Sequence, residues 1–299
     1  MTNALDETVL TDAGMEPGSQ MIQTPADLFR RWLSLRWDPV AIDLTADSQR
    51  WLQLDQSVRH MLRRTMVHFL AGEQIVTDLL GPLLNHDVPR EDERLYLATQ
   101  IADEAVHTVF FRRLCESFFG FQGTIEQIMP ETSEAFRQVF EQLSADVNEV
   151  RRSPWRRAAW VRAVTSYHLV VEGFLGLSGQ RALVQNLKHT GGFPGFTAGI
   201  KGIMQDESRH IIFGVIALSR RVAEEPALAA QITDRLLTLA KPVMQIATGS
   251  SLRMPISANA PKPPSALEQM AKRLRIIGVP ANDVARVLAE FRSSVSTPS

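Results

Sequence analysis

The stretch Asp206-Glu207-Ser208-Arg209-His210 repeats the pattern of an earlier stretch, Asp103-Glu104-Ala105-Val106-His107. In each copy an aspartate is followed by a glutamate and a histidine that stand three residues apart. On an α-helix, side chains three residues apart project from one face about one turn from each other. That spacing suits two ligands of one metal ion, so each stretch is a candidate metal-binding motif.

Two further glutamates stand upstream of these motifs. Glu73 lies 31 residues before Glu104, and Glu172 lies 35 residues before Glu207. Each interrupts an apolar stripe at helical spacing, which predicts that the carboxylate is buried. Burying one unpaired carboxylate costs several kcal/mol, and four together would also repel one another. Two divalent cations would balance four carboxylates and leave two imidazoles as neutral ligands.

The ligands of this predicted di-metal site are Glu73, Glu104, His107, Glu172, Glu207 and His210. A mixed carboxylate and imidazole set suits iron or manganese better than zinc, which favours thiolate-rich or closed tetrahedral sites. One Glu-x-x-His pair alone is a weak indication, because such pairs also occur on solvated helix faces. The duplication, and the position of all six residues on apolar stripes, favour the metal site.

Helical periodicity runs through most of the chain, and no segment alternates with period two for long enough to form a sheet. The predicted helices cover residues 24–37, 48–84 or 55–84, 89–119, 132–152, a segment from 154 through Glu172, 196–225 and 226–248, with two short helices before 292. The order of the ligands indicates an internal duplication. It resembles ferritin-like di-metal carboxylate proteins, where two helices each give a glutamate and two each give Glu-x-x-His. We predict an all-α fold, a ferritin-like four-helix bundle core with accessory helices.

The helical pattern divides the chain into three parts. Residues 1–23 carry no periodicity and are predicted to be a mobile N-terminus. Residues 24–250 contain the whole ligand set and are the predicted di-metal domain. Residues 251–299 contain a proline-rich linker and the two short helices, which we predict to pack on the same domain.

The composition argues against several classes of function. With 32 basic and 33 acidic residues and no basic stripe, the chain is not expected to bind nucleic acid. The longest apolar runs are too short for a transmembrane segment, and the N-terminus is acidic and polar, unlike a signal peptide. The single cysteine, Cys115, excludes an intramolecular disulfide and fits a reducing compartment. We therefore predict a cytoplasmic protein.

Residues beside the ligands have competing interpretations. Asp103 and Asp206 are predicted to accept hydrogen bonds from ligating imidazoles across the bundle and so to orient them; the alternative is a charge on the helix surface. Gly173, Gly176 and Gly214 lie inside predicted helices, where glycine costs about 1 kcal/mol relative to alanine. They indicate either close helix packing or an open cavity beside the metals.

The run Trp37-Asp38-Pro39, followed by the four ligand helices, resembles the small subunit of ribonucleotide reductase. In that family a tryptophan after the first helix supports electron transfer to the metals, a role that the resemblance gives to Trp37. Two features depart from a working reductase subunit. Phe111, four residues after His107, stands where that subunit has its radical tyrosine, and residues 291–299 contain no tyrosine to relay a radical.

These departures, together with a glutamate instead of an aspartate at Glu73, resemble the ligand-binding oxidases related to that subunit. In that family manganese and iron form a heterodinuclear centre, a long-chain fatty acid binds at the metals, and dioxygen activation produces an ether cross-link between a valine and a tyrosine. The valine falls three residues after the first glutamate and the tyrosine five before the third. Val76 and Tyr167 stand at these spacings. The resemblance covers about residues 25–225 and also implies a homodimer.

The resemblance therefore implies an oxidase that uses dioxygen. It gives manganese the ligands Glu73, Glu104 and His107, and gives iron the ligands Glu172, Glu207 and His210. Glu104 and one acid of the second set would bridge the two ions, and a cavity lined by Phe111 and the glycines would hold the fatty acid. A di-iron centre is the alternative, because the preferences of the two metals for these ligands overlap.

Other readings of the same residues stay open. On a regular helix, five residues turn Tyr167 about 140° away from Glu172, so the ring reaches the site either sideways or from a locally irregular helix. An alternative interpretation makes Tyr167 a core tyrosine hydrogen-bonded to a ligand carboxylate, and Val76 part of the core packing. Two other functions compete with the oxidase: a ribonucleotide reductase small subunit that lacks the radical tyrosine, and a non-catalytic carrier of metal or lipid.

Overall fold

The computed structural model describes residues 24–84, 88–189, 192–249 and 265–295, and the regular structure within these ranges is entirely helical. The all-α prediction is therefore confirmed. The predicted mobile N-terminus and proline-rich linker lie outside the described residues. The helices are α1 Pro25–Ser34, α2 Thr45–Gln53, α3 Gln56–Leu79, α4 Glu91–Phe119, α5 Ile125–Ile128, α6 Glu134–Arg152, α7 Arg157–Val164, α8 Leu177–His189, α9 Pro194–Glu224, α10 Leu228–Gly249, α11 Ala266–Ile277 and α12 Ala281–Ser293. Short 3₁₀ turns cover Gly81–Leu83 and Met129–Glu131, and a π-helical segment, Thr165–Gly176, joins α7 to α8.

Four long helical elements form the bundle core. Helix α3 packs along α4, and the π segment packs along α9. Each of these two pairs consists of one element with a single predicted glutamate ligand and one with a Glu-x-x-His motif. The duplication in the sequence therefore corresponds to two helix pairs that face each other. Their facing sides belong to one continuous apolar core.

Local sequence signals set several of the helix ends. Thr24 caps α1 through a reciprocal bond with Asp27, and Pro25 occupies the first helical position. Helix α1 ends at Ser34, so Trp37 lies beyond it rather than at its end. Of the two predicted starts for the next long helix, the later one is close to the structure, because extended backbone at Leu54 separates α2 from α3.

A buried carboxylate positions the helix that carries the second motif. Asp47, on α2, is fully buried and accepts hydrogen bonds from the backbone N–H groups of Gly195 and Phe196, at 3.0 and 2.7 Å. These N–H groups belong to the first turn of α9, where no partner exists within the helix. Asp47 therefore caps α9 from another helix and aligns with the positive end of its dipole.

The π segment is the main irregularity of the bundle. It covers twelve residues, from Thr165 to Gly176, and includes both Tyr167 and Glu172. Because hydrogen bonds in a π-helix join residues five apart, Tyr167 and Glu172 stand about one turn apart and share a face. The irregular-helix alternative for Tyr167 is thus the one that the structure adopts.

The accessory helices cover the bundle. Helix α6 buries an apolar face that includes Phe136, Phe140 and Val147. Helices α11 and α12 pack against each other, with α11 also contacting α9 and the π segment and α12 contacting α10. In the described part of the chain, none of the helices combines the length and apolarity that crossing a membrane requires.

Candidate metal centre

Six side chains from the four core elements meet in the middle of the bundle, and none is more than 6% exposed. They form two groups, and within each group the potential ligand atoms all lie within 4.8 Å of one another. One group contains Glu104, Glu172, Glu207 and His210, and the other contains Glu73, His107 and Glu207. The structure thus brings together all six residues that the sequence predicts as ligands.

The two histidines mark two halves of this cluster. His107 Nδ1 lies 3.4 Å from a carboxylate oxygen of Glu73. In the other half, His210 Nδ1 lies 3.0 Å from a carboxylate oxygen of Glu172. The imidazole rings are 6.3 Å apart, measured between their centroids. Each half therefore offers one nitrogen and one carboxylate of its own.

The remaining two glutamates lie between the histidines. The two carboxylate oxygens of Glu104 lie 3.5 Å from His107 Nδ1 and 3.3 Å from His210 Nδ1. Those of Glu207 lie 4.0 and 3.9 Å from the same two nitrogens. A carboxylate between two binding positions is suited to bridging two cations. The geometry fits two adjacent ions that share Glu104 and Glu207.

The aspartate that precedes each motif contacts the histidine of the other motif. His107 Nε2 lies 3.2 Å from Asp206, and His210 Nε2 lies 3.0 Å from Asp103. When each Nε2–H donates to its aspartate, Nδ1 keeps a lone pair directed at the glutamates. Asp103 and Asp206 are only 7% and 2% exposed, so they are not surface charges.

Three further side chains hold these aspartates in place. Trp37 Nε1 donates to Asp206 at 2.8 Å, and Trp32 Nε1 donates to Asp103 at 2.7 Å. Arg209, which is 1% exposed, donates to both carboxylates. Sequence reasoning missed Trp32 and Arg209. Arg209 could have been found, because it is a basic residue inside the second motif, on a helix whose motif is predicted to be buried.

Burial dominates the proton affinities of the glutamates. It raises the pKa of Glu73 and of Glu172 well above the ordinary value, and it raises that of Glu207 to about 7. Burial would also raise the pKa of Glu104, but its close contacts with the imidazoles of His107 and His210 hold that pKa well below the ordinary value. Without cations, the buried glutamates therefore retain protons, which neutralise the negative charge that metal ions would otherwise balance.

The residues present fit a pair of divalent cations. Three buried atoms at the centre of the cluster, His107 Nδ1, Glu172 Oε2 and Glu207 Oε2, have no hydrogen-bond partner. Leaving a buried polar atom unpaired costs about 1–3 kcal/mol. Cations would take these atoms as ligands, and two of them would balance the four glutamates in charge. Oxygen and imidazole donors are those that iron and manganese accept.

Metal binding at this site should weaken as the pH falls. Because burial raises the pKa of Glu207 to about 7, this carboxyl carries a proton at pH 6 and has mostly lost it at pH 8. A cation must displace that proton, so we expect the affinity for Mn²⁺ to fall by up to about tenfold per pH unit for each proton displaced. Anaerobic titration with Mn²⁺ at pH 6, 7 and 8 measures the slope.

The stability of the metal-free protein should depend on pH in the opposite sense. A carboxyl with a raised pKa in the folded state contributes stability that is full below its unfolded pKa and is lost as the pH rises through the folded value. For Glu207 this window runs from the ordinary value of 4.5 to about 7. Metal-free protein should therefore melt at lower temperature at pH 8 than at pH 5.

For the first of these two predictions, an Mn²⁺ affinity independent of pH would contradict the displacement of a proton from Glu207.

Tyr167 reaches the cluster from the π segment. It is fully buried, and its hydroxyl donates to Glu104 Oε1 at 2.7 Å. Burial and the nearby charge of Glu104 raise the pKa of the phenol well above its ordinary value, so it stays protonated. This hydrogen bond matches the alternative that Tyr167 is a core tyrosine bonded to a ligand carboxylate. It also directs the phenol oxygen toward the site.

A cavity of about 930 Å³ extends from the cluster, between α3, α6, the π segment with α8, and the facing ends of α10 and α11. Its wall includes apolar side chains such as Phe69, Phe140 and Phe174. The wall also includes the four glutamates of the cluster together with both predicted cross-link partners: Glu73, Glu104, Glu172, Glu207, Val76 and Tyr167. The centre is therefore continuous with a large, mostly apolar space.

Three of the four residues predicted to line this cavity do not line it. Phe111 is buried and stacks on Phe69, with ring centroids 5.1 Å apart, so Phe69 forms the wall instead. A Cβ on Gly214 would lie 2.3 Å from the Cβ of His168, and one on Gly173 would lie 2.9 Å from Nη1 of Arg273 on α11. These two glycines permit close helix packing. Gly176 alone lines the cavity as predicted.

Gln180 is a wall residue that sequence reasoning missed. It is fully buried, lines the cavity, and donates to Glu207 at 3.3 Å. It stands eight residues after Glu172. Because part of the helix between them is π-helical, the sequence does not indicate that both side chains reach the cluster. His168, by contrast, lies outside the cluster: its Nε2 lies 3.2 Å from Gln100, and burial lowers its pKa to about 3.

A buried pair of Glu-x-x-His motifs completed by two glutamates defines a di-metal carboxylate protein of the ferritin-like class. Residues 24–247 match the sequence model of the family described as ribonucleotide reductase, small chain. This chain belongs to that family.

Solved structures with the same fold come from proteins described as R2-like ligand-binding oxidases. One, a variant with an aerobically reconstituted Mn/Fe cofactor, has 22% sequence identity and a TM-score of 0.70, with 94% of this chain and 95% of that chain covered. Another, from Sulfolobus acidocaldarius, has 23% identity and a TM-score of 0.70, with 91% of this chain and 94% of that chain covered. At these identities the similarity establishes the shared fold.

Proposed function

We propose that this chain is a dioxygen-activating oxidase that holds one manganese and one iron ion, binds a long-chain fatty acid beside them, and forms an ether cross-link between Val76 and Tyr167. The observation that carries this proposal is the cavity of about 930 Å³, whose wall contains four glutamates of the cluster and both cross-link partners. A storage or structural site has no need of such a space beside its metals.

The metal part of the proposal rests on the donor set. Glu73 and His107 would hold manganese, Glu172 and His210 would hold iron, and Glu104 and Glu207 would bridge them. Two adjacent redox-active ions would supply electrons to dioxygen, which neither ion alone can reduce fully. The Mn/Fe cofactor of the solved structures with this fold supports the choice of metals, and a di-iron centre is the alternative.

The ligand part rests on the shape and lining of the cavity. Its volume lies at the upper end of the roughly 300–1,000 Å³ of small-molecule sites. Rings and aliphatic side chains such as Phe69, Val171 and Leu175 line it, which suits an acyl chain. Polar ligand atoms concentrate at the four glutamates, where bound cations would attract a carboxylate. Solved structures with this fold belong to proteins described as ligand-binding oxidases, which also supports a bound ligand.

The cross-link part rests on the chemistry of the two residues. The tertiary Cβ–H of Val76 is the weakest aliphatic bond on that side chain. Ether formation breaks this bond and the O–H bond of Tyr167, forms a Cβ–O bond, and releases two protons and two electrons. Reduction of dioxygen to two waters takes up four electrons and four protons, so one further electron must come from each metal ion and two further protons from the solvent. The Glu104 oxygen at 2.7 Å is placed to accept the phenol proton.

The principal rival is a small subunit of ribonucleotide reductase that lacks the radical tyrosine, which the matched family supports. Against it, Phe111 stands where the radical tyrosine is expected, fully buried and stacked on Phe69. Co-purification with a large catalytic subunit, and turnover of that subunit in the presence of this chain, would favour the rival. The other rival is a carrier that binds metal or lipid without chemistry.

Exposure of anaerobically metal-loaded protein to air tests the proposal. We expect the intact mass to fall by two hydrogen atoms, because ether formation removes one from Val76 and one from Tyr167. The variants Val76→Ala and Tyr167→Phe should keep their full mass under the same conditions. Intact-protein mass spectrometry, followed by peptide mapping of the joined segments, makes the measurement.

Tyr96→Phe is the matched control, because Tyr96 is the only other tyrosine in the chain and is equally buried. This variant should lose two hydrogens as the unmodified protein does. An unchanged mass in the unmodified protein, with both metals bound and oxidised, would favour the carrier or the reductase subunit.

The homodimer that the family resemblance implies and the cytoplasmic location that the sequence predicts remain predictions. The buried free thiol of Cys115 supports a reducing compartment. Size-exclusion chromatography with light scattering would measure the oligomeric state of the metal-loaded protein.

A further inference from the structure

Arg273 connects α11 to the metal-bearing π segment. This arginine is 3% exposed, and its Nη1 donates to the backbone carbonyl of Gly173 at 2.9 Å. Gly173 directly follows Glu172, one of the predicted metal ligands. Helix α11 lies beyond residues 24–247, the part of the chain that matches the family. The contact therefore brings a residue from outside the matched residues to the backbone that carries a predicted ligand.

The fit between Arg273 and the π segment leaves no room for a side chain at Gly173. A Cβ there would lie 2.9 Å from Arg273 Nη1 and 2.8 Å from the His168 carbonyl oxygen. A buried guanidinium keeps its charge and is placed where its donors are satisfied. The absence of a Cβ at Gly173 thus lets the guanidinium reach the backbone of the irregular segment.

We propose that Arg273 is a positioning residue that fixes the π-helical backbone around Glu172 and thereby the geometry of the metal ion bound by Glu172 and His210. The inference rests on the metal-binding part of the proposed function and on none of its oxidase chemistry. Tyr167 and Glu172 share a face only while the segment stays π-helical. If Arg273 is removed, the Gly173 carbonyl loses its charged donor, and the segment is free to tighten and turn Glu172 away from the cluster.

The half of the site that holds His107 serves as an internal comparison. The ligands that belong to this half alone, Glu73 and His107, come from α3 and α4, and neither helix packs extensively on α11. Loss of the Arg273 contact should therefore weaken the metal ion at Glu172 and His210 more than the ion at Glu73 and His107. A general loss of stability would instead affect both ions alike.

Anaerobic titration of the full chain with Co²⁺, followed by its visible absorbance, tests the proposal. Arg273→Met removes the donors and keeps an unbranched side chain. We expect one of the two Co²⁺ ions to bind at least about tenfold more weakly in this variant, the range typical of losing a partner just outside the ligand set. Arg275→Met is the control, because Arg275 is exposed on the same helix, and it should bind both ions as the unmodified protein does.

Two further variants guard against a folding defect, which circular dichroism would reveal. Arg273→Lys keeps the charge and a donor group and should restore part of the affinity. Gly173→Ala should weaken the same ion, because its Cβ would lie 2.9 Å from the guanidinium and 2.8 Å from the His168 carbonyl oxygen. Affinities for both ions within twofold of those of the unmodified protein in the folded Arg273→Met variant would overturn the proposal. Because Co²⁺ binding needs neither dioxygen nor a fatty acid, a missing Val76–Tyr167 cross-link would defeat the proposed function and leave this test unaffected.

Discussion

Replacing Glu104 with alanine is expected to abolish binding of the metal pair. Glu104 stands between the two histidines, with its oxygens 3.5 Å from His107 Nδ1 and 3.3 Å from His210 Nδ1. Its loss removes a ligand from both ions and leaves three carboxylates to balance them. Changes just outside a ligand set cost about 10- to 100-fold in affinity, so loss of a shared ligand should exceed about 100-fold for at least one ion. Elemental analysis after anaerobic loading with Mn²⁺ and Fe²⁺, and desalting, measures the loss.

The fold of the Glu104→Ala variant should survive even though Tyr167 loses its acceptor, because the apolar core around the cluster, which supplies most of the stability, is unchanged. Circular dichroism checks this. Glu116→Ala provides the matched control, since Glu116 is an exposed glutamate on the same helix, and it should retain two ions. Two tightly bound ions in the Glu104→Ala protein would mean that Glu104 is not a shared ligand.

Replacing Asp103 or Asp206 with alanine should weaken binding of one metal ion each. In both cases the affected ion is the one held by the histidine of the other motif. Asp206 belongs to the second motif but contacts His107 of the first, at 3.2 Å, and Asp103 contacts His210 of the second, at 3.0 Å. Without its aspartate, an imidazole loses the acceptor that fixes its orientation. We expect about a 10- to 100-fold loss of affinity for the ion at that imidazole.

Electron paramagnetic resonance during anaerobic titration with Mn²⁺ measures whether each aspartate affects the ion of the other motif. Asp206→Ala should weaken the ion beside Glu73, and Asp103→Ala should weaken the ion beside Glu172. Asp92→Ala is a control, because Asp92 is a half-buried aspartate on the same helix as Asp103 that pairs with Arg220 away from the cluster. If each aspartate variant weakened the ion of its own motif instead, the arrangement of hydrogen bonds described here would be wrong.

The sequence predicts the six clustered residues because their signal is local. A glutamate and a histidine three apart on an apolar stripe can be recognised without any tertiary information, and the repeat of that pattern makes it specific. The crossed aspartates follow from the same repeat, since each precedes its own motif by one residue. The fold class follows from the four helices that the motifs require.

The parts that the sequence did not reveal depend on contacts between distant residues. Trp32 and Asp103 are 71 residues apart, and Arg273 and Gly173 are 100 apart. No local pattern marks such pairs. Glycine inside a helix is ambiguous, because it serves close packing and open space equally well. Neighbouring atoms show that Gly173 and Gly214 serve close packing, whereas Gly176 lies on the cavity wall.

The central claim is that His107, His210 and four glutamates hold two adjacent metal ions. Crystals of the Mn- and Fe-loaded protein, measured at the X-ray absorption edge of each metal, test it most directly. The account predicts two anomalous peaks inside the cluster, one in contact with Glu73 and His107 and the other with Glu172 and His210, with Glu104 touching both. A single peak, or ions bound away from the two imidazoles, would contradict it.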